Sequence, residues 1–277
     1  MAIENFVPEI WASDLLLDLQ KQLVYGSCTN RNYEGEIRQK GDTLKITGIT
    51  DVTIKSYTPH TDITVEAATD KEGPVLTIDQ ADYFAFEVDD VEATQAAGDV
   101  KGPLTGNAGY KMADKVDQYI AGLMDKGATT SVKDITAVTT PSDAYDALVL
   151  LGVALTKKNV PKTGRWVVVS PDFYGMLQGD TRFIAGTDRA TDTLYNGVIG
   201  LAGGFTVLES NNVPTSGSKQ SIIAGTNQAV TFAQQISKIE AARMEKRFAD
   251  MVKGLDLYGG VVVRPECLAK ATLTVGA

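Results

Sequence analysis

Imidazole and thiol are nearly missing from this sequence: its 277 residues include one histidine, His60, and two cysteines, Cys28 and Cys267. A single histidine excludes His–Cys–His metal sets, the HExxH zinc helix and Ser–His–Asp hydrolysis within one subunit. The cysteines lie at opposite ends of the chain and match neither a disulfide framework nor a metal-ligand cluster, so they read as two reduced, partly buried thiols. His60 falls in the polar, turn-like YTPHTD. An all-carboxylate metal site or a carboxylate pair for glycoside chemistry stays formally open, but no spacing favours either. The expectation is no cofactor, no metal and no enzymatic activity.

Long apolar runs are missing as well, which predicts that no helix spans a membrane. The opening MAIENFVPEIW has no basic n-region, so no secretory leader and residence in the cytoplasm are expected. A basic face for reading nucleic acid is not visible either. The glycines of NGVIGLAGGF (Gly197, Gly200, Gly203, Gly204) precede a strand-like FTVLES, and no GK[ST] follows. They predict a surface loop rather than a phosphate cradle, which needs a helix N-terminus after the turn. Ser170 follows a strand but lacks the GxSxG elbow, which favours a helix cap over a nucleophile.

What is present is an ordinary globular balance, 43% apolar and 22% charged. A chain of this length forms one large domain or two modest ones and buries about three quarters of its extended-chain surface. The formal charge of −9 is unevenly placed. Residues 51–100 hold twelve acids, Asp89 and Asp90 among them, against Lys55 and Lys71; that segment carries −10 and leaves +1 elsewhere. Two readings stay open. The acids form a solvated face, or they form a projection that meets a basic surface on a neighbour. The mixed patch Arg243, Glu245, Lys246 and Arg247 likewise suits either solvent or inter-subunit pairing.

Periodicity divides the chain further. Residues 8–25 predict a helix with Pro8 in its first turn, Gly26 as C-cap and an apolar stripe of Trp11, Leu15, Leu16, Leu19 and Leu23. Period-two alternation follows in GDTLKITGI, in DVTIKSY, at Leu76 and Ile78, and in YFAFEVDD. Residues 34–88 therefore read as an extended two-stranded ribbon, which is marginal alone and needs a partner surface. Residues 107–125 predict a helix capped by Asn107, roughly 28 Å long. A polar linker over 127–140 leads to TPSD, where Thr140, Pro141 and Asp143 announce the next helix. RWVVV, SPDFYGML, FTVLES and SIIAG then make residues 140–232 a compact α/β unit. Residues 234–252 fit helix or strand equally. LDLY, GGVVV and LAKATLTV are strands, with Gly259-Gly260 as a turn or bulge and Arg264-Pro265 as a stop. All are expected to pair with the base of the ribbon and pack on the 107–125 helix.

This order, and in detail FVPEIWASDLLLDLQKQLV, GDTLKITGI, RWVVVSPDFYGML and ARMEKRFADMVKGLDLYGGVVVRPECLAKATL, resembles the major capsid proteins of tailed bacteriophages with the HK97 fold. The resemblance covers essentially the whole chain. It implies an α+β architecture: an N-arm over 1–33, an extended β-hairpin E-loop over 34–90, and a P-domain with its spine helix over 91–139. An inserted A-domain over 140–232 and P-domain return strands over 233–277 complete it. It further implies self-assembly into pentamers and hexamers of a head around double-stranded DNA contacted without base recognition. Portal protein and a separate scaffolding protein are the implied partners, and the virion is the location, after assembly in the host cytoplasm.

Two departures from relatives matter. A long N-terminal scaffolding segment is not expected here, since the first helix begins within about ten residues; this suggests either a separate scaffolding protein, which Met1 favours, or an already trimmed product. Lys55 or Lys71 could supply the amine of a Lys–Asn cross-link, but no Asn follows Asn227, so shell stability is expected from buried arms and summed non-covalent contacts. The assembly-interface residues are Trp11, Leu15, Leu19, Lys55, Asp89, Asp90, Gly203, Gly204, Arg243, Arg247 and Arg264. Gly98, Gly102, Gly106 and Gly127 are candidate bendable joints. The alternatives are an α/β binding protein or enzyme with an unusual hairpin, and a capsid-derived shell that encloses cargo other than a genome.

Overall fold

Alternation and helical stripes translate into elements with a few informative exceptions. The computed structural model describes residues 23–32, 42–46, 48–49, 54–57, 59–60, 62, 65, 70–71, 73–89, 101–180, 200–243 and 249–276. A 3-10 turn, Tyr25–Cys28, precedes strands β1 (Thr43–Lys45), β2 (Gly48–Ile49), β3 (Asp70–Lys71), β4 (Val75–Thr77) and β5 (Gln80–Asp89). Helix α1 (Lys101–Gly127) follows, then β6 (Thr130–Val132), β7 (Ala137–Val138), α2 (Pro141–Lys157), β8 (Arg165–Val169) and α3 (Pro171–Gln178). The rest is strand: β9 (Leu201–Ala202), β10 (Phe205–Glu209), β11 (Thr215–Ser216), β12 (Lys219–Thr226), β13 (Val230–Arg243), β14 (Ala249–Val262) and β15 (Leu268–Val275).

The ribbon is made by β1 antiparallel to β4, with Leu44 opposite Leu76, and by β2 antiparallel to β3. Ile54–Tyr57, expected to continue a strand, are exposed and outside regular structure. β5 leaves the ribbon and pairs with β14 in a three-stranded sheet of order β13-β14-β5. The ribbon's root is seated on that sheet: Leu76 and Ile78 are buried with Ala233 and Leu257, and Leu44 and Ile46 pack around them.

Several expectations change here. The ambiguous 234–252 is strand up to Arg243, with a register irregularity between Ile236 and Lys238. Gly259-Gly260 is no turn, because β14 runs straight through it. A Cβ at Gly259 would strike the Thr77 carbonyl oxygen, so glycine here serves close approach of the ribbon root rather than bending. α1 begins at Lys101, not at Asn107. Pro103 is tolerated because first-turn N–H groups have no intrahelical partner to lose. Gly102 and Gly106 are thus helical, Gly127 closes the helix against Val262, and Gly98 lies outside the described residues. The helix predicted over 8–25 lies outside the described residues apart from its last three.

The second sheet has eight strands, in order β6-β15-β12-β8-β10-β9 with β11 on β12 and β7 on β15. β8 runs parallel to β10 with α3 between them in sequence. All five residues of RWVVV are buried, and successive side chains point to opposite faces, so both faces of the sheet are covered. β15 sits in this sheet, antiparallel to β12 and parallel to β6, and not at the ribbon's root where it was expected. The 127–140 linker contributes β6 and β7 to the same sheet.

The helix starts follow the side-chain chemistry. At α2 the Asp143 amide donates to Thr140 Oγ1 while the Thr140 amide donates to Asp143 Oδ2, a reciprocal capping box. At α3 the Phe173 amide donates to Ser170 Oγ. The main core gathers Ile120 and Met124 of α1, Leu148, Leu151 and Leu155 of α2, and Phe173, Phe205 and Phe232.

Candidate assembly interface

Apolar side chains left in water mark where a chain is incomplete. On the ribbon Ile54, Tyr57 and Val65 are 95%, 74% and 87% exposed. On the three-stranded sheet the cross-strand partners Tyr83 and Leu255 are exposed beside each other. On α2, Val149 and Val153 are exposed one turn apart, and Leu201 is exposed on β9.

Polar groups, some of them buried, tie these elements to α1 and to one another. Asp82 on β5 accepts 2.5 Å hydrogen bonds from Lys115 Nζ of α1 and from the Tyr258 hydroxyl of β14. Burial raises the pKa of Asp82, but these donors outweigh it and hold the carboxyl below its ordinary range. Asp117 of α1 accepts from the Tyr25 amide at 2.8 Å and the Asn212 amide Nδ2 at 3.0 Å, tying the 3-10 turn and the α/β sheet to one helix. Its pKa is raised by burial, only partly offset by those donors. Asp256, directly opposite Asp82 in the sheet, is 1% exposed. It accepts from Gln234 Nε2 at 2.7 Å, and its other oxygen has no hydrogen-bond partner among the described residues. Burial first, and then the Asp82 charge, push its pKa up against the Gln234 hydrogen bond. Cys28, which precedes the Asn30 bridge to Thr231, is buried and its thiol is pushed up to about 12, chiefly by desolvation.

Beside α2 lies a groove of about 610 Å³ between that helix and the β9–β10 turn. Gly203 and Gly204 form the two-residue turn with φ of 58° and 84°, the left-handed pair that a tight hairpin of this twist requires. The turn joins two strands, which removes the phosphate-cradle geometry. Lys157, Lys162 and Arg165 line the groove, and among the described residues no acid does. Among the described residues no group of three or more His, Cys, Asp or Glu could hold a metal ion.

The residues selected from the sequence scatter. Gly203 and Gly204 reach the groove. Lys55 is exposed on the ribbon. Asp89 and Arg243 come to one end of the three-stranded sheet, opposite Ala249 and Asp250 respectively. Arg264 is exposed and donates to Gln228 Oε1 at 3.2 Å. Trp11, Leu15, Leu19, Asp90 and Arg247 lie outside the described residues. Sequence reasoning missed Lys162, Arg165, Val149 and Val153 as one surface. The signal was present in two valines four apart on a helix otherwise explained by its core face, followed by cations around Pro161.

Residues 74–271 match the family model described as phage capsid protein. A solved structure from Mycobacterium phage Che8 is 30% identical, with 98% of each chain covered and a TM-score of 0.83. The capsid structure of cyanophage P-SCSP1u is 18% identical, covering 98% of this chain and 94% of its own, with a TM-score of 0.80. The mature capsid of bacteriophage PhiM1 is 16% identical, covering 96% and 91%, with a TM-score of 0.71. No curated protein sequence matches the chain.

Proposed function

Because this chain belongs to the phage capsid protein family and has the HK97-like capsid fold, we propose that its copies close into the pentamers and hexamers of an icosahedral head around double-stranded DNA. It is a structural capsid protein, and its location is the virion shell. In this reading residues 1–33 form the N-arm, 34–90 the E-loop, 91–139 and 233–277 the P-domain built on α1, and 140–232 the A-domain. Assembly takes place in the host cytoplasm with a separate scaffolding protein and a portal protein. The packaged DNA is held without base recognition, since the chain carries −9 and no reading element.

The observation that carries this reading is the ribbon. Its root is buried on its own sheet, while Ile54, Tyr57 and Val65 further out are exposed and pack in neither core cluster of the described residues. A segment whose apolar side chains find cover only on a neighbouring copy orders as it associates, so the two steps are coupled. Electron microscopy of the purified full chain, alone and co-expressed with its scaffold, tests it. Closed particles of uniform diameter are expected. A chain that stays monomeric at every concentration, with scaffold present, would overturn it.

A further inference from the structure

The three-stranded sheet places two acids opposite each other and gives only one of them a cation. Asp82 of β5 and Asp256 of β14 are direct cross-strand partners, so their side chains share a face with Cβ atoms about 5 Å apart. Lys115 Nζ of α1 and the Tyr258 hydroxyl both donate to Asp82, on separate oxygens. Asp256 receives one side-chain donor, Gln234 Nε2, on Oδ2. Its Oδ1 is buried and has no hydrogen-bond partner among the described residues. The titratable groups on this face are Asp82 on β5, Lys115 and Tyr119 on α1, and Tyr258 on β14 itself. Arg31, beyond the 3-10 turn, donates to Gln234 Oε1 at 3.3 Å. Among the described residues no cation pairs with Asp256. A buried carboxylate oxygen without a donor bears its full desolvation penalty, and the like charge opposite adds to it. Because Oδ1 is sealed from solvent, a proton is the cation that fits there.

The two environments drive the pair apart. Burial first, and the Asp82 charge second, favour Asp256 in its neutral form. Against its own burial, Asp82 is held ionised by Lys115 and Tyr258. An ionised carboxyl offers about four acceptor positions, so Asp82 can take a further donor beside the two it has. We infer that Asp82 and Asp256 share one proton and form a clasp between β5 and β14. Asp256 Oδ1 carries the proton and donates it to Asp82; when solvent base removes it, the clasp opens. A carboxyl raised by folding stabilises while protonated, and that contribution is lost as pH rises through its folded value. Asp82 runs the other way, its Lys115 bridge being lost as acid protonates it. The clasp is therefore closed between the two titrations and opens on either side, and both steps belong to the pair. Its place gives it leverage. Asp82 is the third residue of β5, just after the chain leaves β4, and Gln234 links Asp256 to Arg31 beside the Asn30–Thr231 bridge. Loss of one proton thus loosens the start of β5 while the eight-stranded sheet stays intact. The inference concerns the folded chain alone and stands whether or not shells form.

Hydrogen exchange of the full wild-type chain and of D256N, followed by mass spectrometry from about pH 5 to about pH 9, tests it. D256N keeps the acceptor for Gln234 and puts a non-titrating amide N–H where the proton sits. Peptides spanning Gln80–Phe84 and Gly254–Tyr258 should exchange equally in the two proteins at the acid end. At the alkaline end they should exchange at least about tenfold faster in wild type, after division by the intrinsic amide rate. Peptides from β8 and β12 should not differ. Difference infrared spectra give the second readout: a protonated-carboxyl band that wild type loses over the same pH step and that D256N lacks. Equal exchange of the two proteins at every pH overturns the inference, as does a carboxyl band that D256N leaves unchanged. A difference abolished by magnesium or sodium at fixed pH would put a metal ion in place of the proton and overturn it too. Should D256N not fold, wild type decides: protection of the two peptides relative to β8 that stays flat across the range overturns the clasp.

Discussion

Two aspartates face each other across the three-stranded sheet with opposite fates. Asp82 is held ionised by Lys115 and Tyr258, whereas Asp256 is buried, half-partnered and pushed toward its neutral form. A carboxyl whose folded pKa is raised favours the folded state while protonated. That contribution is present below the unfolded value and is lost as pH rises through the folded one, leaving a penalty at neutral pH. Asp256→Asn keeps the shape and the acceptor for Gln234 while removing the charge. It should stabilise the protein by about 1–2 kcal/mol near neutral pH, a few degrees in Tm. The gain should shrink to nothing as the pH approaches about 4, where the native carboxyl is itself protonated. Thermal melts of both proteins across that range check the sign. The Asp82 contribution runs the other way, present at neutral pH and lost as acid protonates its lowered carboxyl.

At the scale of elements the glycines of β14 decide how the ribbon and β5 approach. At Gly259 an added methyl meets the Thr77 carbonyl and Ile78 Cα, both backbone; at Gly254 it meets the Phe84 ring, a side chain that can swing. Gly259→Ala should therefore cost about 3 kcal/mol and Gly254→Ala about 1 kcal/mol, read as shifts in urea midpoint at constant m. Equal costs would mean that the ribbon root moves as easily as a ring. These glycines also show where the sequence was legible and where it was not. Capping is written locally: Thr140 and Asp143 stand three residues apart, and the hydrogen bonds between them need nothing else. Period-two alternation in YFAFEVDD reveals a strand and its faces, but the partner is a distant stretch, β14, which local pattern does not name. Gly259-Gly260 reads as a turn because close approach and bending demand the same residue. The start of α1 was hidden by Gly102, Pro103 and Gly106, poor helix formers that tertiary packing and the tolerance of the first turn override. Of the candidate assembly surfaces, the acidic ribbon was visible as a charge run. The groove was not, since Val149, Lys162 and Gly203 converge only through the fold.

For the whole molecule α1 is a common anchor, about 40 Å of helix to which four distant described segments are tied. Asp117 grips the chain at Tyr25 and Gly26, Asp114 and Asp117 both take Asn212 of the α/β unit, Lys115 holds Asp82 at the start of β5, and Asp125 holds Lys270 of β15 at 3.1 Å. These four segments are therefore held to one helix rather than to a loop. Asp117 is the most exacting of these ties, because it is 3% exposed and its removal strands buried amide donors. Asp117→Ala should cost about 2–3 kcal/mol and free the segment before Cys28 while both sheets persist. Limited proteolysis is the discriminating measurement. Cleavage within the first thirty or so residues should accelerate at least about tenfold over wild type, with the remaining fragment still protected. An unchanged cleavage rate there, alongside a lowered denaturation midpoint, would mean that Asp117 supports the core alone and does not hold the segment before Cys28.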